Sequence, residues 1–157
     1  MTSNRQATCY QSSNSCSHHI AGEIVVSAKR ILIIDDEDDI REIAQASLEL
    51  MAGLQVLVAC SSQEGLLKAV AEQPDAILLD VMLPDMDGVS TFQQLQANPK
   101  TRHIPVILLT ARVQPSDQSR FAALGVTAVI TKPFKPTKLA TQLLELLHWK
   151  QTPSSSL

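Results

Sequence analysis

Asp35-Asp36, Asp80, Thr110 and Lys132 are the residues of this 157-residue chain whose types and spacing suit joint chemistry. Each follows a short apolar run: Ile-Leu-Ile-Ile before the paired acids, Ala-Ile-Leu-Leu before Asp80, Val-Ile-Leu-Leu before Thr110, and Ala-Val-Ile-Thr before Lys132. Crowded carboxylates repel one another and need a positive charge among them. Hard oxygen ligands suit Mg²⁺, which binds through one or two carboxylates, several waters and a phosphate. Lys132 offers a second cation, a compact ammonium for a carboxylate or a phosphoryl oxygen. The Thr110 hydroxyl can donate one hydrogen bond to such an oxygen. No His, Ser or Cys nucleophile joins the set. The nucleophile at hand is a carboxylate, and carboxylates form aspartyl phosphates. Phosphoryl transfer asks chiefly for positioning and charge neutralisation, which these groups supply.

Taken singly, each residue has a plainer explanation. Asp35-Asp36 reads as a helix N-cap with an acid that suits the helix dipole. Asp80 reads as a solvated strand end, Thr110 as a β-branched strand residue, and Lys132-Pro133 as a surface turn. Asp85 and Asp87 fit turn formation and capping of the next helix, and Glu37 fits the first turn of its helix. Only the joint phase of the four stations favours a site.

That phase depends on the elements between them. Ile31–Ile34, Leu54–Ala59, Ala76–Leu79, Val106–Leu109 and Val126–Ile130 are apolar, β-branched-rich runs that read as strands buried on both faces. Between them run helical patterns. The first, from Asp38 to Met51, has Ile40, Ile43, Ala44, Leu48 and Met51 on one stripe, and Gly53 stops it. The second opens with a Ser61/Glu64 capping box and has Leu66, Leu67, Val70 and Ala71 as its expected apolar face. A turn-rich loop from Leu83 to Gly88 leads into a third helix, Val89 to Gln96. A fourth begins at Pro115 with Phe121, Ala122 and Leu124 as its buried side, and a fifth begins at Pro136. Strands alternating with helices imply a parallel sheet covered on both faces, with right-handed crossovers.

Asp36 and Asp80 lie 44 residues apart, Asp80 and Thr110 30, and Thr110 and Lys132 22. A βα unit takes roughly 20–30 residues, so these gaps are two units, one and one. All four stations then fall at the carboxyl edge of one sheet, where open α/β sheets bind ligands. The skipped strand, Leu54–Ala59, ends without a charge, as a strand at the sheet margin can.

The bulk properties fit one soluble domain with tails. Hydrophobic residues form 45% and charged residues 18% of the chain, which suffices for a core without disulfides. The net charge of −3 argues against non-specific nucleic-acid binding, and no apolar run is long enough for a membrane span. The three cysteines, Cys9, Cys16 and Cys60, form no disulfide framework. Cys60 ends an apolar run and is expected to be a buried hydrophobe in a reducing compartment. With no secretory signal, the expected location is cytoplasmic. Residues 1–27 read as a flexible polar arm, 28–149 as the folded domain and 150–157 as a second polar tail. Cys9, Cys16, His18 and His19 lack zinc-ligand spacing.

Ile33-Ile34-Asp35-Asp36, the block Leu79-Asp80-Val81-Met82-Leu83-Pro84-Asp85-Met86-Asp87-Gly88, Leu109-Thr110-Ala111 and Thr131-Lys132-Pro133-Phe134 together closely resemble the CheY-like receiver domain of two-component response regulators. The resemblance covers residues 29 to 149. It implies a flavodoxin-like (βα)5 three-layer sandwich with strand order 2-1-3-4-5. It makes Asp80 the phosphoacceptor, charged by a histidine kinase or a histidine phosphotransfer protein. Asp36 and Asp80 would ligate Mg²⁺ (or Mn²⁺), with Asp35 acting through water and the Met82 backbone carbonyl completing the protein ligands. Thr110 would bind the phosphoryl oxygen and move on phosphorylation. Lys132 would bridge to the acceptor and then to the phosphate, and the Lys132-Pro133 bond would be cis. Such a protein is a switch rather than an enzyme, with only self-phosphorylation and self-dephosphorylation chemistry.

Two departures from the family pattern bear on signalling. Receivers usually place an aromatic residue three positions before the lysine, where this chain has Val129, so aromatic–threonine coupling is expected to be missing. Met82 and Arg112, two positions beyond Asp80 and Thr110, border the path of attacking water and are expected to slow loss of the phosphoryl group. Only a polar tail follows Trp149. The expectation is therefore a stand-alone receiver acting on a downstream protein, without direct nucleic-acid binding or membrane insertion. The alternative is a Mg²⁺-dependent aspartyl-phosphate phosphohydrolase. Such enzymes tend to carry a second Asp two residues after the nucleophile, where this chain has Met82.

Overall fold

The computed structural model describes residues 28–111 and 114–149. Five strands, β1 (Arg30–Ile34), β2 (Gln55–Ala59), β3 (Ala76–Asp80), β4 (Val106–Thr110) and β5 (Ala128–Thr131), form one parallel sheet in the order β2-β1-β3-β4-β5. Five helices connect or follow them: α1 (Asp38–Ala52), α2 (Ser62–Glu72), α3 (Gly88–Ala97), α4 (Pro115–Leu124) and α5 (Pro136–Leu146). The expected strand order is the observed one, with β2 at the margin.

Residues alternate across the sheet, as strand geometry requires. Ile31, Ile33, Leu78, Ile107 and Leu109 face one way and pack with Ala44 and Leu48 of α1 and Leu139 and Leu143 of α5. Leu32, Ile34, Ile77, Leu79 and Leu108 face the other way and pack with Ala69 of α2, Phe92 and Leu95 of α3, and Phe121 of α4. Both faces are thus covered, which is why the strands are continuously apolar.

Several helix faces differ from expectation. In α2 the buried residues are Ser62, Gly65 and Ala69, while Leu67 is 65% exposed and Ala71 is exposed. The helix lies so close to β1 that a Cβ on Gly65 would meet Ile34 Cδ1 at 2.4 Å, so small residues take the sheet-facing positions. In α4 only Phe121 is buried, and Ala122 is exposed. β5 starts at Ala128 rather than Val126, although the Thr127 N–H still bonds to the Val106 carbonyl. Cys60 is exposed rather than buried, because it falls one residue past the end of β2.

The helix starts fix the loops around the carboxyl edge. Ser61 accepts from Glu64 N–H, but the Glu64 carboxylate accepts from Cys60 N–H, so the box closes one residue further out. Asp87 caps α3 by accepting from Ser90 N–H. Asp85 instead reaches across to the start of α2, where its two oxygens accept the Ser62 and Gln63 N–H groups at 3.1 and 3.0 Å. With Ser62 Oγ donating to the Met86 carbonyl, it ties the β3–α3 loop to α2.

Candidate functional site

The register of the sheet brings the expected residues together. β3 and β4 pair Asp80 with Leu109, and β4 and β5 pair Thr110 with Thr131. Asp35 follows β1, Asp80 ends β3, Thr110 ends β4 and Lys132 follows β5. Asp35, Asp80 and Thr110 are buried, whereas Asp36 is exposed. Asp35, Asp36 and Asp80 each offer a carboxylate oxygen, and these oxygens all lie within 4.8 Å of one another.

Lys132 is the cation that answers them. Its Nζ donates to Asp35 Oδ2 at 2.8 Å and stands 3.3 Å from Asp80 Oδ2. A third carboxylate, Glu37, takes a hydrogen bond from the same ammonium at 3.3 Å. Burial works against this ammonium, but Asp35, Asp80 and Glu37 together outweigh it and hold its pKa above the ordinary lysine value. Asp80 goes the other way for a carboxylate. Burial, aided by the Asp35 charge, pushes its pKa up to about 6, although the Met82 N–H and Lys132 favour the ionised form.

The backbone holds Asp80 on both sides. The Met82 N–H donates to Asp80 Oδ1 at 3.1 Å, and the Val81 N–H donates to the Leu109 carbonyl. Gly88 presses against the Asp80 backbone: a Cβ there would lie 2.6 Å from the Asp80 carbonyl oxygen and from Val81 Cα. On the far side, Arg41 donates to the Asp35 carbonyl, and the Glu37 N–H donates to Asp35 Oδ1. The Lys132 N–H bonds to the Thr110 carbonyl, and the Lys132-Pro133 peptide is cis, as expected. Beside Asp80, a cleft of about 270 Å³ is lined by Met82, Thr110, Arg120 and Phe121, among others.

Asp35, Asp36, Asp80, Thr110 and Lys132 therefore share one edge. Met82 supplies a main-chain contact at Asp80, while the residue is 74% exposed. Val129 is half-buried against the cluster that contains Phe121. Sequence reasoning assigned Glu37 to its helix, yet at the N-cap of α1 it makes no side-chain cap bond and turns to Lys132. Its place beside the acidic pair was the one available signal. Arg112 and the four Cys and His residues of the arm lie outside the described residues.

The profile of the response regulator receiver domain matches residues 31–144. The chain belongs to that family. This receiver domain is 40% identical over 120 residues to the phosphate regulon transcriptional regulatory protein PhoB of Pseudomonas aeruginosa, covering 76% of this chain and 52% of PhoB. It is 36% identical over 131 residues to the alkaline phosphatase synthesis transcriptional regulatory protein PhoP of Bacillus subtilis, covering 82% and 53%. Among solved structures, the chemotaxis response regulator CheY4 of Vibrio cholerae matches with a TM-score of 0.72 at 28% identity, covering 76% of this chain and 99% of that one. The receiver domain of a signal transduction histidine kinase from Syntrophus aciditrophicus matches at 0.68 and 36% identity, covering 83% and 98%. The chain spans about half the length of the curated relatives it matches. The expectation of a stand-alone receiver without an output domain finds no support in them, since both are transcriptional regulators of which the match covers only 52% and 53%.

Proposed function

We propose that this receiver domain takes a phosphoryl group from a phosphohistidine onto Asp80 in a Mg²⁺-dependent transfer, and that the phosphorylated form controls a downstream protein contact. The observation that carries the proposal is the placement of Lys132 within 3.3 Å of a buried Asp80, beside two further acids whose oxygens fall within 4.8 Å. A carboxylate oxygen of Asp80 attacks phosphorus, the P–N bond breaks, the imidazole nitrogen of the donor keeps the electron pair, and an acyl phosphate forms. Met82 N–H and Gly88 hold Asp80 in place. Lys132 neutralises charge that gathers on the phosphoryl oxygens, and Thr110 donates to one of them.

The donor set fits a hard divalent cation: three carboxylates, no sulfur and no imidazole. Asp36 and Asp80 would hold Mg²⁺ directly, with Asp35 through water and the Met82 carbonyl as a further ligand; Mn²⁺ would substitute. The ion would offset the phosphoryl charge when bound. Among the described residues no helix is long and apolar enough to cross a membrane, and a histidine kinase or phosphotransfer protein in the cytoplasm is the proposed donor.

Incubation with Mg²⁺ and acetyl phosphate, followed by intact-protein mass measurement, tests this reading. One phosphate-sized adduct, absent in Asp80→Asn, is the expected result. Sustained release of phosphate from unrelated phosphate esters would instead establish a phosphohydrolase. No adduct, even with a cognate kinase, would show an interaction module that does not use phosphate.

A further inference from the structure

α2 contributes no charge to the site, yet its first turn is bound to the loop that carries Met82. A helix leaves its first four N–H groups without partners inside the helix. In α2 the Glu64 N–H goes to Ser61 Oγ and the Gly65 N–H to the Ser61 carbonyl. The other two, from Ser62 and Gln63, go to Asp85 Oδ1 and Oδ2 at 3.1 and 3.0 Å. Asp85 is exposed, so hydrogen bonds rather than packing hold it there. The same two N–H groups keep its carboxyl below the usual carboxylate range. Beside it the fully buried Ser62 donates from Oγ to the Met86 carbonyl at 3.0 Å and accepts from Thr91 Oγ1 of α3 at 2.7 Å. The β3–α3 loop is therefore anchored twice. At its start the Met82 N–H donates to Asp80 Oδ1, and the Val81 carbonyl accepts from the Gly88 N–H at 2.7 Å. Further on, Asp85 and Met86 are fixed to α2. Between these anchors Leu83 is buried and Pro84 has a fixed φ. The Met82 carbonyl, a proposed Mg²⁺ ligand, lies in this same short span.

We propose that Asp85 and Ser62 are positioning residues that hold the β3–α3 loop, and with it the Met82 carbonyl, in the arrangement that binds Mg²⁺. The proposal rests on the reading of Asp36, Asp80 and Met82 as the ligands of that ion. A ligand held in place beforehand loses less freedom when the ion arrives, so loosening the loop weakens binding. The strand and helix that bring no charge to the site thus act on it through two backbone N–H groups and one hydroxyl.

The test is calorimetric titration of the intact chain with Mg²⁺, well below its unfolding temperature, with urea unfolding measured alongside. Asp85→Ala frees both N–H groups and should weaken Mg²⁺ binding about tenfold, the low end of the loss when groups that orient metal ligands are removed. Ser62→Ala deletes the hydroxyl without changing the charge and should weaken binding at least about twofold. Thr101→Val removes a buried hydrogen bond to the Leu95 carbonyl, just past the other end of α3. It should lower stability and leave Mg²⁺ affinity unchanged. Lower stability with unchanged Mg²⁺ affinity in Asp85→Ala would make the contact merely structural and overturn the proposal. So would weakening in Asp85→Ala with none in Ser62→Ala, since the lost negative charge alone would then explain it. Equal weakening in Thr101→Val would overturn it too. No Mg²⁺ binding by the unaltered protein would overturn the metal reading itself and the inference with it.

Discussion

Asp80 carries two opposed demands. As the proposed phosphoacceptor it would have to be ionised to attack phosphorus, yet burial lifts its pKa to about 6. A carboxyl whose pKa is raised on folding contributes stability below its unfolded value near 4, and that contribution is lost as pH rises through about 6. At pH 7 without metal, the folded protein thus carries a poorly solvated charge. Asp80→Asn removes it, and the variant should be more stable than the unaltered chain by on the order of 1–3 kcal/mol at pH 7 in chelator. The advantage should shrink to nothing by about pH 4. Urea unfolding at the two pH values measures this, and a gain that is the same at both would refute it. Mg²⁺ should narrow the difference at pH 7, because a cation among the three acids relieves the same charge.

Among the elements, the turn into α3 bears most directly on the proposed acceptor, Asp80. Gly88 begins that helix, and its missing Cβ is what lets it lie on the Asp80–Val81 backbone. Gly88→Ala should cost about 1–3 kcal/mol through overpacking and slow phosphorylation from small donors on the order of tenfold or more, since small misplacements of reacting groups are costly. Denaturant unfolding and an acetyl phosphate time course measure the two effects separately. Retained rate and stability would show that the backbone gives way without consequence.

At the far side of the sheet, Val129 occupies the position where receivers usually place an aromatic ring, and α4 is held to the core by buried Phe121 and partly buried Leu124. A β-branched side chain packed against the core has no ring to turn inward should Thr110 move on phosphorylation. Backbone amide shifts in residues 114–148 on adding beryllofluoride should therefore be small beside those in the loops around Asp36, Asp80 and Lys132. Large shifts throughout that surface would contradict the expectation.

For the molecule as a whole, the strands and the site edge were legible because both are local signals. An apolar run of four or five residues ending in a polar one marks a buried strand and its carboxyl end, and five such runs in phase imply one sheet. Helix faces were less legible. Leu67 and Ala71 look like part of the buried stripe of α2, but close approach to Ile34 gives the sheet-facing positions to Gly65 and Ala69, with Leu66 partly buried beside them. No local pattern reports how near a helix comes to its sheet. The Lys132–Glu37 bond joins residues 95 apart in sequence, and Asp85 bonds to N–H groups 22 and 23 positions earlier. Such contacts exist only once the edge is assembled. Cys60 was misread for a related reason: one residue past the end of a strand is enough to pass from core to surface.

The central claim is that this assembled edge directs phosphate to Asp80 and to no other acid. Three carboxylates crowd the site, so an adduct mass alone does not choose among them. The deciding measurement is incubation with Mg²⁺ and phosphoramidate, reduction of the acyl phosphate with borohydride, and tandem mass mapping of the resulting homoserine. It should appear at position 80 and vanish when Mg²⁺ is chelated beforehand. Homoserine at position 35 or 36, or a label that ignores Mg²⁺, would contradict the account.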